Sequence, residues 1–108
     1  MARRLKLMAD YGCHPLWDYD EGGELCGNPA PVALPLSTEL VAEINAWADW
    51  FNSWVDMRDP HDSRRVLPEE AEAFNRAGRR LWAALRRELG EGWCVVYFED
   101  GKLLEPPG

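Results

Sequence analysis

The feature that most constrains the fold is a change of hydrophobic period along the chain. Residues 4–11 alternate apolar and polar side chains, which is the pattern of a strand with one buried face. Two later segments, residues 37–56 and 68–89, repeat apolar side chains every three or four positions, as amphipathic helices do. Residues 93–98 are rich in β-branched and aromatic side chains, which predicts a central strand. The chain must therefore combine a sheet with two helices.

The two predicted helices carry their own boundary signals. Ser37 is a good N-cap, and the first helix is expected to run to about Asp56. The second is expected to begin at Pro68, whose missing N–H would be unpaired there anyway, and to end before Gly90. Gly78 lies inside the second apolar stripe and costs about 1 kcal/mol relative to alanine, so we expect a close packing contact there. The stripes comprise Leu40, Ile44, Trp47, Phe51 and Val55 in the first helix, and Phe74, Gly78, Leu81, Leu85 and Leu89 in the second.

The remaining segments predict a hairpin and a connector. Residues 16–19 alternate again, a glycine pair follows, and residues 24–26 would form a short return strand. Residues 27–35 contain three prolines, so we expect a loop there. The expected fold is one α+β domain over residues 1–108, with a small, mostly antiparallel sheet covered on one face by two helices. The N-terminal strand, the hairpin and the C-terminal strand would form that sheet.

Charge is distributed unevenly along the 108 residues, whose formal net charge is −7. Residues 10–62 contain eleven acids against one arginine, whereas residues 63–87 contain seven arginines against three acids. The acidic half would repel phosphate backbones, so we expect no nucleic-acid binding, and it would attract a basic protein. We also expect no membrane span and no export signal, hence a cytoplasmic protein, because every apolar run is too short.

Cysteine and histidine side chains are the candidates for metal binding or catalysis. Their spacing lacks the short pairs that are typical of zinc sites, so we expect no metal and no cofactor. A Cys13 nucleophile would need His14 or His61 as its base. His14 could serve only in a bent segment, since neighbouring strand residues face opposite ways. We therefore expect no enzymatic activity, with a ligand-binding or enzymatic pocket near Asp10, Cys13 and His14 as the alternative. The residues considered are Cys13, His14, Cys26, His61 and Cys94.

Acidic and aromatic side chains are interleaved around the first strand and the hairpin. Charges that steer a partner and large rigid rings are what protein-interface hot spots combine. Trp50 and Trp54 lie off the centre of the first helical stripe, so they either widen its buried face or reach a partner. The predicted partner-binding residues are Asp10, Tyr11, Trp17, Asp18, Asp20, Glu24, Trp50 and Trp54.

Residues 5–17, Leu-Lys-Leu-Met-Ala-Asp-Tyr-Gly-Cys-His-Pro-Leu-Trp, resemble the opening of a group of small, largely uncharacterised bacterial proteins of similar length. The resemblance extends to residues 34–37, to the second helical stripe around Gly78, and to residues 96–98. In size, acidity and small-domain style the chain is also similar to immunity proteins of bacterial toxin systems. That resemblance implies an immunity-like inhibitor, and the acidic first half of the chain predicts that it masks a basic partner by occlusion.

Overall fold

Five strands and two helices follow one another in the computed structural model, which describes residues 3–54 and 66–107. Within those ranges, neither helix is long and apolar enough to cross a membrane. Two short 3₁₀ turns, Pro31–Ala33 and Gly90–Gly92, precede α1 and β4 respectively. The elements are β1 (Arg3–Leu7), β2 (Leu16–Tyr19), β3 (Leu25–Gly27), α1 (Thr38–Asn52), α2 (Pro68–Leu89), β4 (Trp93–Glu99) and β5 (Lys102–Leu104).

The five strands form one sheet in the order β3-β2-β1-β4-β5, with β1 at its centre. The pairing of β1 with β4 is parallel, and the other three pairings are antiparallel. Both helices lie in the crossover between β1 and β4 and pack on one face of the sheet. The predicted fold class, an α+β sheet with two helices, is therefore confirmed.

Alternation along the strands divides the sheet into two faces. Leu5 and Leu7 of β1 lie opposite Val95 and Tyr97 of β4, and all four side chains are buried under the helices. We call this side the covered face. Lys6, which lies between the two leucines, points to the other side, which we call the open face because no described element packs over it.

Gly78 provides the close contact that its position in the helical stripe predicts. A Cβ atom at this site would overlap Tyr97 Oη and lie 2.8 Å from Tyr97 Cζ and 2.9 Å from Trp47 Cζ2. Only a glycine lets α2 approach both α1 and β4 so closely. The indole N–H of Trp47 donates to the Phe74 carbonyl (3.0 Å), so this buried ring leaves no unpaired donor.

Several predicted boundaries are wrong. The alternation predicts a first strand to residue 11, but β1 ends at Leu7 because the chain turns back through Gly12, whose φ of 72° is left-handed. The return strand begins at Leu25, one residue later than predicted. The first helix ends at Asn52, short of its predicted end at about Asp56: residues 53 and 54 form a turn, and residues 55 and 56 lie outside the described residues.

Candidate functional site

The predicted partner-binding residues lie in three separate places: the loop after β1, the β2–β3 hairpin and the end of α1. Because β1 and β2 are antiparallel, the β2–β3 turn lies beside the first residues of β1, and the loop after β1 lies at the other end. Asp10 and Tyr11 belong to that far loop, which lies beside the end of α1 and the β4–β5 turn. We call this end, whose exposed residues include Asp10, Tyr11 and Asp100, the acidic end.

The acids near the β2–β3 hairpin have structural partners. Asp18 forms an ion pair with Arg3 on the covered face of the sheet. Asp20 Oδ1 accepts hydrogen bonds from the backbone N–H groups of Gly22 and Glu24, both at 2.9 Å, and so holds the turn together. The Glu24 side chain itself is exposed. These acids contribute charge to the surface, but two of the three carboxylates also support local structure.

The predicted tryptophans differ in exposure. Trp54 is buried, with 8% of its surface exposed, and its indole N–H donates to Glu70. It therefore widens the buried face of the helical layer and belongs to the core rather than to a contact surface. Trp50 is half-buried, and its indole N–H donates to the same Glu70 carboxylate oxygen (3.5 Å). Trp17 is half-buried on the open face, where its indole N–H donates to the Met8 carbonyl (3.0 Å).

An aromatic cluster supports the acidic end from below. Phe74 of α2 is at its centre. The centroid of its ring lies 4.5 Å from that of Trp47, 5.2 Å from that of Trp50 and 4.9 Å from that of Trp54. Phe51 continues the cluster toward the surface at 5.8 Å from Phe74. The sequence identifies Phe74 as a core residue through its helical spacing, but not as the ring that connects the two helices at this end.

Tyr11 is the exposed ring at the top of this cluster. It stacks on Phe51 with 4.4 Å between ring centroids, yet 38% of its surface remains accessible. Its loop is held to α1 because the Gly12 N–H donates to Asn52 Oδ1 (3.0 Å). The Tyr11 N–H also donates to Asp10 Oδ1 (2.8 Å). An exposed ring with this support is already ordered before it meets a partner.

Asp10 and Asp100 supply the charge of the acidic end. Leu7 and Tyr97 are paired in the parallel β1–β4 ladder, and Asp10 and Asp100 each follow one of them by three residues. Both aspartates therefore lie at the same end of the sheet. Neither carboxylate forms an ion pair with a residue in the described ranges. Asp100 accepts weak hydrogen bonds from Asn75 Nδ2 at 3.3 and 3.4 Å. Both charges therefore remain available to a cation.

A cavity of about 260 Å³ opens between the aromatic cluster and the β4–β5 turn. Phe74 and Trp54 form part of its apolar wall, and Glu99 and Asp100 form part of its acidic wall. The Glu99 carboxylate is neutralised by Arg79, whose Nε and Nη2 donate to it at 2.9 and 2.6 Å. The hydrogen bond with Glu99 raises the pKa of the Arg79 guanidinium. Burial raises the pKa of the nearby Tyr97 phenol.

The residues of the predicted alternative site, Asp10, Cys13 and His14, all lie in the loop between β1 and β2, where the Cys13 N–H donates to the Asp10 carbonyl (3.4 Å). None of the three residues is among those that line the cavity at this end. Asn28 holds the backbone of His14, accepting from its N–H (2.9 Å) and donating to its carbonyl (2.7 Å). His61, the other candidate base, lies outside the described residues. Within residues 3–54 and 66–107, no three His, Cys, Asp or Glu side chains are grouped as metal ligands.

A family model described as Serratia CdiI immunity protein-like matches residues 3–100 of the chain. The matched region contains both helices, the first four strands and the acidic end. A search of curated proteins finds no match.

Proposed function

We propose that the chain, which belongs to the Serratia CdiI immunity protein-like family, is a non-enzymatic cytoplasmic inhibitor that masks a basic toxin by occlusion. The family match over residues 3–100 is the observation that carries this proposal. An immunity protein acts by binding its toxin partner. We infer the surface that contacts the toxin separately, from the charge and the exposure of its side chains.

The acidic end has the properties that a basic partner would recognise. Asp10 and Asp100 are exposed and lack a cationic partner among the described residues, so a lysine or arginine could pair with them without breaking an internal ion pair. Tyr11 lies beside them as an accessible ring on a rigid support. Aromatic anchors surrounded by charge are the usual centres of protein interfaces.

The remaining acids would act at longer range. Glu21 and Glu24 of the β2–β3 turn, together with the acids of α1, extend the negative field over much of the surface. Such a field accelerates the encounter with a basic protein and is weakened by salt. We therefore expect the acidic end to determine how long the complex lasts and the other acids to affect mainly how fast it forms.

The first experiment identifies the partner. A tagged copy expressed in its native host is recovered from lysate at low and at raised salt, and any stoichiometric companion is identified by mass spectrometry. The proposal predicts a basic protein that is released as the salt concentration rises, and whose toxic activity the purified chain suppresses. Recovery of the chain alone at both salt concentrations, or a companion without toxicity, would count against an immunity role.

Tyr11→Ala then tests the contact surface. We expect it to weaken binding to that companion by about thirtyfold, the effect of a hot spot worth about 2 kcal/mol. Val32→Ala is the matched control, because Val32 is an exposed apolar side chain on the 3₁₀ turn before α1. Equal affinities for the two variants would remove the acidic end from the interface.

Paired neutralisation tests the charges. Asp10→Asn combined with Asp100→Asn removes two charges, and asparagine tolerates the positive φ (50°) of position 100. We expect weaker binding and a smaller dependence of affinity on salt. Glu21→Gln combined with Glu24→Gln removes the same charge from the hairpin and should mainly slow association. A salt dependence unchanged by either pair would contradict electrostatic masking.

A further inference from the structure

The open face of the sheet carries a second surface of opposite character. On β1 and β4 the side chains of this face alternate with those of the covered face. They help to form a groove of about 400 Å³. Its apolar lining consists of Phe98, which is half-buried, and Leu103, which is 47% exposed, above Val96, which neighbouring side chains cover. The groove is lined by Arg4, Lys6, Tyr19, Gly23, Val96, Phe98 and Leu103.

Lys6 is the central charge of this groove. Its Nζ lies 5.4 Å from the ring centroid of Tyr19, 5.8 Å from that of Trp17 and 5.9 Å from that of Phe98. The three rings hold the ammonium group in place through cation–π attraction. Lys6 forms no ion pair and no hydrogen bond through its side chain with any residue in the described ranges. Its three N–H donors are therefore available, although the chain carries a net charge of −7.

The neighbouring cation on the same face shows what these groups bind. Arg4 lies two residues before Lys6, and its guanidinium forms an ion pair with Glu105, which follows β5. A carboxylate of the chain itself thus approaches this face at Arg4, whereas the Lys6 ammonium has no such partner. The complement of the groove is a carboxylate attached to an apolar body.

We propose that this groove receives an acidic segment of the toxin partner, in which a glutamate or aspartate side chain pairs with Lys6 and an adjacent apolar side chain packs on Phe98 and Leu103, above the covered Val96. The proposal rests on the function proposed above and adds a second contact to it. Charge complementarity selects the occupant, because a basic segment would be repelled by Lys6, whereas the charge of Arg4 is already balanced by Glu105. Together with the acidic end, the groove would make recognition depend on two opposite charges, which discriminates against partners that carry only one of them.

Lysine variants in the complex test the contact. Lys6→Met keeps the aliphatic stem and removes the charge, and Lys6→Glu reverses the charge. We expect affinity for the companion toxin to fall by at least about tenfold and about a hundredfold respectively. Lys102→Met is the matched control, because Lys102 is an exposed lysine on β5 that does not line the groove, and we expect no change. If Lys6→Glu binds as tightly as the unmodified chain, the groove contact is wrong while the immunity role stands.

A probe of the groove alone separates this proposal from the identity of the toxin. Three compounds with one apolar body are titrated into the isotope-labelled chain: 4-phenylbutyrate, 4-phenylbutanol and 4-phenylbutylamine. We expect the acid to shift the amide resonances of Val96 and Leu103 at millimolar concentration, the alcohol to do so more weakly and the amine not at all. Lys6→Met should abolish the preference for the acid. Equal shifts from acid and amine, or no shift from the acid, would overturn the proposal.

Two other occupants are distinguished by the same materials. Saturation by 4-phenylbutyrate at micromolar concentration would assign the groove to a free organic acid and not to a protein segment. Self-association of the chain that disappears in Lys6→Glu, measured by sedimentation, would assign it to the acidic surface of a second copy. Either result overturns the assignment to the toxin. A monomer that binds the acid weakly and loses toxin affinity in Lys6→Glu supports it.

Discussion

The two faces of the sheet use neighbouring residues for different purposes. Leu5 and Val95 on the covered face belong to the core under the helices, whereas Lys6 and Val96, one position later in each strand, line the open groove. Val95 and Val96 are equally buried at 1% exposed. The difference lies in what buries them: helices and large core rings on one side, and side chains of the sheet itself on the other.

This contrast separates stability from recognition. The covered face is closed by backbone elements that cannot move without unfolding, so changes there should alter the free energy of unfolding. The open face is closed by the flexible stem of Lys6 and by half-buried rings, which can shift to admit a partner. Substitutions on the two faces therefore distinguish the two roles.

Gly78→Leu should have the largest effect. The smallest added group, a Cβ, already overlaps Tyr97 Oη and lies 2.9 Å from Trp47 Cζ2, and leucine adds three further carbons. We expect no cooperatively folded protein. Gly78→Ala should fold but lose about 1–3 kcal/mol of unfolding free energy through overpacking. Urea denaturation followed by tryptophan fluorescence provides the measurement.

Tyr97→Phe provides the control for that prediction. It removes the hydroxyl group that the new Cβ would overlap, and it also removes the long hydrogen bond from Tyr97 Oη to the Asn75 carbonyl (3.4 Å). Gly78→Ala combined with Tyr97→Phe should therefore lose less stability than the sum of the two single changes. If the losses of unfolding free energy are additive, the overlap between a Cβ at position 78 and Tyr97 Oη does not limit packing on the covered face.

Val95→Thr and Val96→Thr compare the two faces directly. Each change replaces one methyl group with a hydroxyl at nearly constant volume, at neighbouring positions of β4. On the covered face the hydroxyl is cut off from water, and we expect a loss of about 1–3 kcal/mol. On the open face the groove side chains can shift and admit water, so the loss should be below about 1 kcal/mol. Equal losses in urea denaturation would mean that the open face is packed as rigidly as the covered one.

Much of the covered face could be predicted from the sequence because the patterns that specify it involve residues close together in the chain. The apolar spacing of α2, its initial proline and the glycine inside its stripe depend on residues within a few turns of one another. The bounds of α2, Pro68–Leu89, agree with the prediction. The Ser37 cap is confirmed as well, since its hydroxyl accepts a hydrogen bond from the Leu40 N–H (3.2 Å).

The two candidate contact surfaces were harder to predict from the sequence, because they depend on strand register and on contacts between residues far apart in the chain. Asp10 and Asp100 meet at one end only because β1 and β4 pair in parallel. Trp54 is buried only because its indole reaches Glu70 and Phe74 of the other helix. The Lys6 groove requires four strands, β1, β2, β4 and β5, in one register. No spacing within a single segment contains this information.

The smallest expected effect concerns the link that joins the two covering helices at the start of α1. Glu88 near the end of α2 accepts hydrogen bonds from the Ser37 backbone N–H (2.6 Å) and from Ser37 Oγ (2.7 Å). These bonds, the backbone one first, lower the pKa of the Glu88 carboxyl. Since that pKa is lower in the folded chain, the link stabilises fully above the unfolded glutamate value of about 4.3 and is lost as pH falls through the folded value.

Glu88→Gln should therefore flatten the loss of stability between neutral and acidic pH, which is measured as the urea midpoint at a series of pH values. Glu91→Gln is the matched control, because Glu91 is exposed just beyond α2 and makes no hydrogen bond through its side chain with the described residues, so its pH profile should follow that of the unmodified chain. Ser37→Ala should cost about 1 kcal/mol through loss of the cap. Neither change touches the open face, so affinity for the companion toxin should stay constant. A change in affinity would show that the faces are coupled through the helical layer.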